Sequence, residues 1–231
     1  SRKKPSRSES VEGGEQVKTR PIIFNGHDVR AIREGRKTQT RMAIKPQPPE
    51  KPLPNCHPNN SVKHPAPYLD SYCSKLKTAT NPRGMSDLWC WWQVDDRQCL
   101  PTFRCPYGQP GDRLWVRETF RSKQQCGETI DWTYRADCPA LTEYLFPWKP
   151  SIFMPRQASR ITLEIVGVRV ERLQDISAED AELEGCNRFV DSSGSYDARV
   201  QFCELWESIH GHVSWDLNQW VWVVEFKEVK P

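Results

Sequence analysis

One short stretch, residues 35–41 with the sequence GRKTQTR, combines side chains that could do chemistry. It holds three cations and two hydroxyls, and Lys37 lies three positions before Thr40. A neighbouring lysine can lower the barrier to attack by a threonine hydroxyl, and a cationic turn can hold a phosphate or a developing oxyanion. A solvated basic turn has the same composition, so the stretch alone leaves all three interpretations open.

Glu184 is the second candidate. The pattern predicts a short helix that Ser177 caps and that runs through Glu184, with Gly185 ending it. An anion in the last turn of a helix is disfavoured by roughly 0.3–1 kcal/mol through the helix dipole. Either a salt bridge to a lysine or arginine, or a role in proton transfer, would explain its position.

Aromatic and arginine side chains form another candidate group, made of Trp115, Arg117, Arg156 and Arg160. A nucleic-acid base could stack on the indole while phosphates meet the guanidinium groups. Alternatively, Trp115 covers the core beneath a neighbouring segment.

The cysteines and histidines permit a zinc site but do not favour one. The residues in question are Cys56, His57, His64, Cys73, Cys90, Cys99 and Cys105. No CxxC or HxxxH spacing occurs among them, so we predict free thiols, no metal and no cofactor.

Composition excludes an integral membrane protein, because no apolar run exceeds five residues whereas a membrane helix needs about 20. The net charge of +3 allows a nucleic-acid partner through a local patch without requiring one. The nine cysteines, without a secretory h-region, indicate a reducing compartment, and we expect the cytoplasm.

Alternation and capping signals predict the elements that position these residues. We expect strands near residues 21–24, 38–42, 113–120, 129–136, 159–173 and 220–229, with a bulge or corner beside Gly167. Helices are expected after Asn25 up to Gly35, over 177–184 and over 196–209, the last with Val200, Cys203, Trp206 and Ile209 on its apolar face. Strands with short edge helices predict an α+β fold, a mostly antiparallel and closed or partly closed small barrel.

Two segments stand apart from that pattern. Residues 1–19 are polar and charged, which predicts a disordered basic tail. Eight prolines fall between Pro46 and Pro67, so residues from about 46 to 109 are predicted to be an irregular insertion, with an ordered island over 87–94. Residues 20–231 are then a single domain, because the 44 residues before Lys45 are too few for a core of their own.

In this order, the motifs of the chain resemble those of the ASCH-domain proteins of bacteria and their prophages. The motifs are GRKTQTR (35–41), PGDRLWVRE (110–118), DISAEDAELEG (175–185) and WVWVVEF (220–226). The similarity runs from about Arg20 to Val229 and leaves out most of the Pro-rich insertion.

The resemblance implies a PUA-like β-barrel with a cleft that binds RNA or a nucleoside. Small bacterial members of the family are amidohydrolases that remove the acetyl group of N4-acetylcytidine with a Lys, a Thr and a Glu. Lys37, Thr40 and Glu184 occupy the matching positions. By analogy Thr40 would attack the acetyl carbonyl, Lys37 would accept or steer its proton, and Glu184 would orient Lys37 or protonate the leaving amine.

Three functions follow as hypotheses. The first is hydrolysis of an acylated nucleoside such as N4-acetylcytidine, with Lys37, Thr40 and Glu184 as catalytic residues. The second is a non-catalytic RNA-binding module, in which Arg36, Arg41, Trp115, Arg117, Arg156 and Arg160 contact the nucleoside or RNA ligand. The third is an accessory protein of a prophage, in which the barrel presents the insertion to a partner.

Overall fold

The computed structural model describes residues 17–45, 47, 68–73, 85–92, 103–125, 128–138, 147–187 and 197–229. The predicted tail lies outside these residues up to position 16, and so does most of the predicted insertion. Of the residues considered for zinc, only Cys105 has a described side chain. The zinc interpretation therefore lies outside the described residues.

Strands dominate the described chain. They are β1 (Thr19–Ile23), β2 (Gln39–Ala43), β3 (Tyr68–Cys73), β4 (Met85–Trp92), β5 (Phe103–Arg104), β6 (Arg113–Arg117), β7 (Phe120–Gln125), β8 (Glu128–Tyr134), β9 (Thr162–Arg172) and β10 (Trp220–Glu228). The α-helices are α1 (Gly26–Arg33), α2 (Ala178–Leu183) and α3 (Ala198–His210). None of these helices is both long and apolar enough to cross a membrane.

A five-stranded mixed sheet with the order β1-β6-β9-β10-β2 forms the centre of the fold. Only β1 and β6 run parallel in it, and the other neighbours are antiparallel. The α+β class is therefore as predicted. Within the described residues the edge strands β1 and β2 do not pair with each other, so a closed barrel is not observed there.

Side chains from all five strands and α1 meet in one apolar cluster. Along β10, Trp222, Val224 and Phe226 point into this cluster, whereas Val221 and Val223 pack against α2 and α3 in a second one. Both faces of β10 are thus buried, as its uninterrupted apolar run predicts.

The alternation of β9 changes phase at a bulge. Glu225 of β10 pairs with Gly167, but the next residue, Phe226, pairs with Ile165, so Val166 is the extra residue and is exposed. A Cβ on Gly167 would lie 2.5 Å from a carboxylate oxygen of Glu225, so a side chain there would require that flexible carboxylate to move. The predicted bulge is confirmed.

Capping residues set the ends of the first two helices as predicted. The side chain of Asn25 accepts a hydrogen bond from the Asp28 N–H at the start of α1, and Ser177 does the same for Asp180 at the start of α2. The predicted apolar face of α3 is right at Trp206, which is buried, and wrong at Val200 and Ile209, which are exposed. The other buried residues of the helix are Ala198 and Phe202. The buried residues of α3 are therefore spaced four positions apart, and the face that they form packs against β10.

The described residues also form two smaller sheets. The first, β3-β4-β5, lies within the stretch predicted to be irregular, and its strand β4 contains most of the predicted ordered island. The second is the hairpin β7-β8. The predicted strand 113–120 is shorter than expected, because β6 ends at Arg117 and Phe120 packs with Met154 and Ala158 in a separate cluster.

Candidate functional site

The GRKTQTR stretch is fastened between α1 and α2. Gly35 follows α1 with a φ of 73°, and the N–H groups of Arg36 and Lys37 donate to the carbonyl of Ala31. An isolated β-bridge then joins Lys37 to Glu184, the residue that caps the C-terminus of α2. The backbone itself therefore brings these two predicted residues together.

The side chains of Lys37 and Glu184 form a buried ion pair. Lys37 Nζ lies 2.9 Å from Glu184 Oε2 and 2.9 Å from the Glu184 carbonyl oxygen, and 3.3 Å from Asp28 Oδ1. Only 3% of the Lys37 side chain and 2% of the Glu184 side chain are exposed. An ammonium has three N–H groups, so these oxygens occupy all of its donors.

The surroundings keep Lys37 protonated. Burial alone would lower the pKa of its ammonium, but the charges of Glu184 and Asp28, and the hydrogen bonds they accept, outweigh burial and raise it. A protonated amine has no lone pair, so in this state Lys37 cannot accept a proton from a hydroxyl.

Arg41 extends the pair into a cluster. Its Nη1 donates to Glu184 Oε1 at 3.1 Å, and its Nη2 donates to Asp180 Oδ2 and Glu171 Oε2, each at 2.8 Å. The side chain is 0% exposed. Although predicted as an RNA contact, Arg41 offers no surface to a ligand in this conformation. We call Lys37, Arg41, Asp28, Asp180 and Glu184 the buried ion cluster.

Thr40 lies on the other face of β2 from Arg41. Side chains alternate along a strand, and Thr40 pairs with Val224, whose side chain enters the main apolar cluster. Its exposure is 6%. Within the described residues neither Lys37 nor Glu184 hydrogen-bonds to the Thr40 hydroxyl. The structure brings together two of the three predicted catalytic residues and leaves the third without a contact to them.

Gly185 allows the two helix ends to approach. Its φ is 90°, and a Cβ there would lie 2.8 Å from the Ala31 Cβ and 3.3 Å from the Lys37 Cβ. Real Cβ atoms do not come so close, so this position needs glycine for space as well as for backbone conformation. The ion pair depends on that close contact.

Three of the predicted binding residues form a different group, which we call the Trp115 surface: Trp115, Arg117 and Arg156. The Arg117 guanidinium carbon lies 5.4 Å from the centroid of the Trp115 ring, and that of Arg156 lies 5.7 Å from it. Trp115 and Arg117 are partly exposed and Arg156 is exposed. Cation–π contact orders both arginines around one indole.

The arginines of the Trp115 surface lack acidic partners. In the part of the chain that is described, neither Arg117 nor Arg156 forms an ion pair. The Arg117 Nε is buried without a hydrogen-bond partner, so only its other guanidinium nitrogens face a ligand. Arg117 Nη2 donates to the Ile152 carbonyl, and Arg156 Nη2 lies 3.4 Å from Thr162 Oγ1. Both guanidiniums keep donors for an anion.

The other two predicted arginines are already paired. Arg36 binds Glu34 and donates to the Gly185 carbonyl at 2.8 Å. Arg160 holds Glu118 through two hydrogen bonds of 2.8 and 3.0 Å and also pairs with Asp137. A phosphate would have to displace a carboxylate at either position, which makes them poorer ligand contacts than the Trp115 surface.

The described cysteines are free thiols without catalytic character. They are Cys105, Cys138, Cys186 and Cys203. Burial raises the pKa of Cys105 to about 11 and that of Cys186 to about 12, so both are protonated at neutral pH and are weak nucleophiles. Among the described residues no group of three or more His, Cys, Asp or Glu side chains could hold a metal ion.

Comparison with known proteins leaves the family open. No protein-family model matches the chain, and neither a curated protein nor a solved structure matches it.

Sequence reasoning missed most of the carboxylates of the ion cluster. Asp28 and Asp180 were not selected, although Asp180 precedes Glu184 by four residues and so shares its helix face. That spacing was an available signal. Phe153, which is 70% exposed, was not among the predicted binding residues.

Proposed function

We propose that this chain is an RNA-binding module, of the PUA-like ASCH type, that binds nucleosides within RNA. The observation that carries the proposal is the Trp115 surface, where two guanidiniums lie 5.4 and 5.7 Å from one indole and form no ion pair with the described residues. Indoles stack on bases and free guanidiniums bind phosphates. The convergence of five strands and α1 on one cluster supports the barrel-like part of the proposal.

Binding of a labelled RNA hairpin with single-stranded flanks tests the proposal. We expect the double substitution Arg117→Gln and Arg156→Gln to weaken binding at least tenfold and to lower the slope of log affinity against log salt by one to two units. Arg199→Gln is the matched control, because Arg199 is an exposed arginine paired with Asp197 on α3. Equal affinities of the double variant, the control and the wild type would rule the proposal out.

Amide hydrolysis is the second candidate function, and one observation favours it. Lys37 and Glu184, separated by 147 positions, meet at 2.9 Å as the resemblance implies. Lys37 is protonated in the resting state, so this function requires its proton to pass to Glu184, whose pKa burial raises, and to leave Lys37 a neutral amine. Lys37 would then take the Thr40 proton as the hydroxyl oxygen attacks the acyl carbon, and Glu184 would give its proton to the leaving amine. Water would finally hydrolyse the acyl-threonine.

Single-turnover hydrolysis of N4-acetylcytidine distinguishes the two candidates. If the chain is a hydrolase, cytidine is released by the wild type and not by Thr40→Ala. No release by either protein would leave RNA binding as the function and the ion cluster as a structural device.

A further inference from the structure

Three residues before Arg156 of the Trp115 surface, an exposed aromatic side chain lies on a backbone that is held by hydrogen bonds. Phe153 is 70% exposed, and its neighbour Ile152 is 58% exposed. Their segment is connected to the Trp115 surface, because the Ile152 carbonyl accepts from Arg117 and the guanidinium carbon of Arg156 lies 5.7 Å from the centroid of the Trp115 ring. In the chain, Phe153 lies between Ile152 and Arg156.

The backbone around Phe153 is fixed by several contacts. Residues Ser151–Phe153 form a 3₁₀ turn in which Phe153 N–H donates to the Pro150 carbonyl at 3.0 Å. The next side chain, Met154, is 1% exposed, and its sulfur accepts the Glu118 N–H at 3.2 Å. The buried Met154 therefore fixes the backbone next to Phe153 and leaves the Phe153 ring exposed.

Adjacent strands enlarge the apolar area. Ile23 of β1 pairs with Arg117 and is 51% exposed, and Pro21 pairs with Trp115 and is also exposed. The outer face of this sheet edge therefore shows apolar and aromatic groups with two unpaired guanidiniums among them. Such a surface matches a ligand with flat apolar faces and negative charges.

We infer that this surface holds single-stranded nucleic acid, with unpaired bases stacked on Trp115 and Phe153 and the backbone phosphates on Arg117 and Arg156. The inference rests on the proposed RNA-binding function and specifies its ligand. A duplex hides its base faces and offers phosphates and groove edges, so the exposed rings contribute only when the bases are unpaired. The guanidiniums alone would serve either ligand.

A comparison of three 12-nucleotide ligands tests the inference: a single-stranded RNA, the duplex RNA containing it, and the single-stranded DNA of the same sequence. Fluorescence anisotropy at low salt measures each affinity. We expect the single strands to bind at least tenfold more tightly than the duplex. Equal affinity for the DNA and RNA strands would show that the protein recognises only bases and phosphates. Tighter binding of the RNA strand would show that it also contacts the 2′-hydroxyls.

Phe153→Ala provides the decisive variant, because an exposed residue can be truncated without disturbing the core. We expect it to weaken single-strand binding about tenfold to hundredfold and to leave duplex binding unchanged. Leu217→Ala, at an equally exposed apolar residue, should change neither affinity beyond twofold. Duplex binding as tight as single-strand binding, or an unchanged Phe153→Ala variant, would overturn the inference while leaving RNA binding intact. Failure of all three ligands to bind would overturn both.

Discussion

Lys37 and Glu184 are almost wholly removed from water, and this decides what each contributes to stability. Desolvating two charges costs several kcal/mol per ion, and the cost is offset only while every donor and acceptor is satisfied. In the buried ion cluster Lys37 uses all three N–H groups, and both Glu184 oxygens accept from a cation. Removing one partner therefore lowers the free energy of unfolding by more than the intact ion pair contributes to it.

We expect Lys37→Met to lower the free energy of unfolding by about 3–5 kcal/mol, because it leaves buried carboxylates short of a cation. Arg33→Met is the control: the Arg33–Asp137 pair has 49% and 40% of its side chains exposed, so the loss should stay below about 1 kcal/mol. Urea denaturation of both variants measures the difference. Equal losses would contradict the account of the cluster.

The partner of a single residue was predictable from sequence where that residue departs from a local preference of its helix. An anion at the end of a helix correctly signalled that Glu184 needs a cation, and the structure supplies Lys37 and Arg41. The burial of Arg41 was not predictable, because its three carboxylate partners lie 130 to 143 positions away. Only the assembled fold brings those charges together.

At the scale of elements, Gly185 controls the contact between the ends of α1 and α2. Gly185 and Gly35 both have positive φ, but only Gly185 lacks room for a Cβ. Gly185→Ala should therefore destabilise the protein by about 1–3 kcal/mol more than Gly35→Ala. Both substitutions strain the backbone, but only the Gly185→Ala side chain also overpacks the contact between the helices. Thermal or urea unfolding of the two variants measures this. Identical losses would show that the helix ends do not press together.

The junction of β1 with β6 should weaken in acid. Burial favours the neutral form of Asp112, but hydrogen bonds from Arg20 and the N–H of Lys18 outweigh it and lower its pKa. A lowered pKa means that the carboxylate stabilises the fold above its unfolded pKa of about 3.9 and that this stabilisation is lost as pH falls through the folded value.

We therefore expect Asp112→Asn to be less stable than the wild type at pH 7 and the difference to shrink below about pH 4. Urea denaturation at pH 7, 4 and 3 measures it. A difference that stays constant across this range would assign the effect to packing and not to the Asp112 charge.

Elements with a strict period or a clear cap were predictable, as β10, α1 and α2 show. The face of α3 was not, because exposed apolar residues such as Val200 and Ile209 imitate a buried stripe. The end of β6 was missed because Phe120 continues the alternation of the strand but packs in another cluster. Local pattern cannot distinguish burial in one cluster from burial in the next.

For the whole molecule, a net charge of +3 means that any RNA affinity must come from a local surface. Seven arginines among the described residues pair with carboxylates: Arg20, Arg33, Arg36, Arg41, Arg160, Arg169 and Arg199. Arg117 and Arg156 form no ion pair with the described residues, and their guanidinium carbons lie 5.4 and 5.7 Å from the centroid of one indole, that of Trp115. We therefore expect bound RNA at this indole.

Photo-crosslinking locates the bound RNA most directly. The full chain is irradiated with a single-stranded RNA containing 4-thiouridine, and the crosslinked peptides are identified by mass spectrometry. If RNA binds at the Trp115 surface, crosslinks form in peptides containing Trp115 or Phe153. These crosslinks are lost in the Arg117→Gln/Arg156→Gln variant and kept in the Arg199→Gln variant. Crosslinks confined to residues 36–41, or retained at full strength in the double variant, would contradict it.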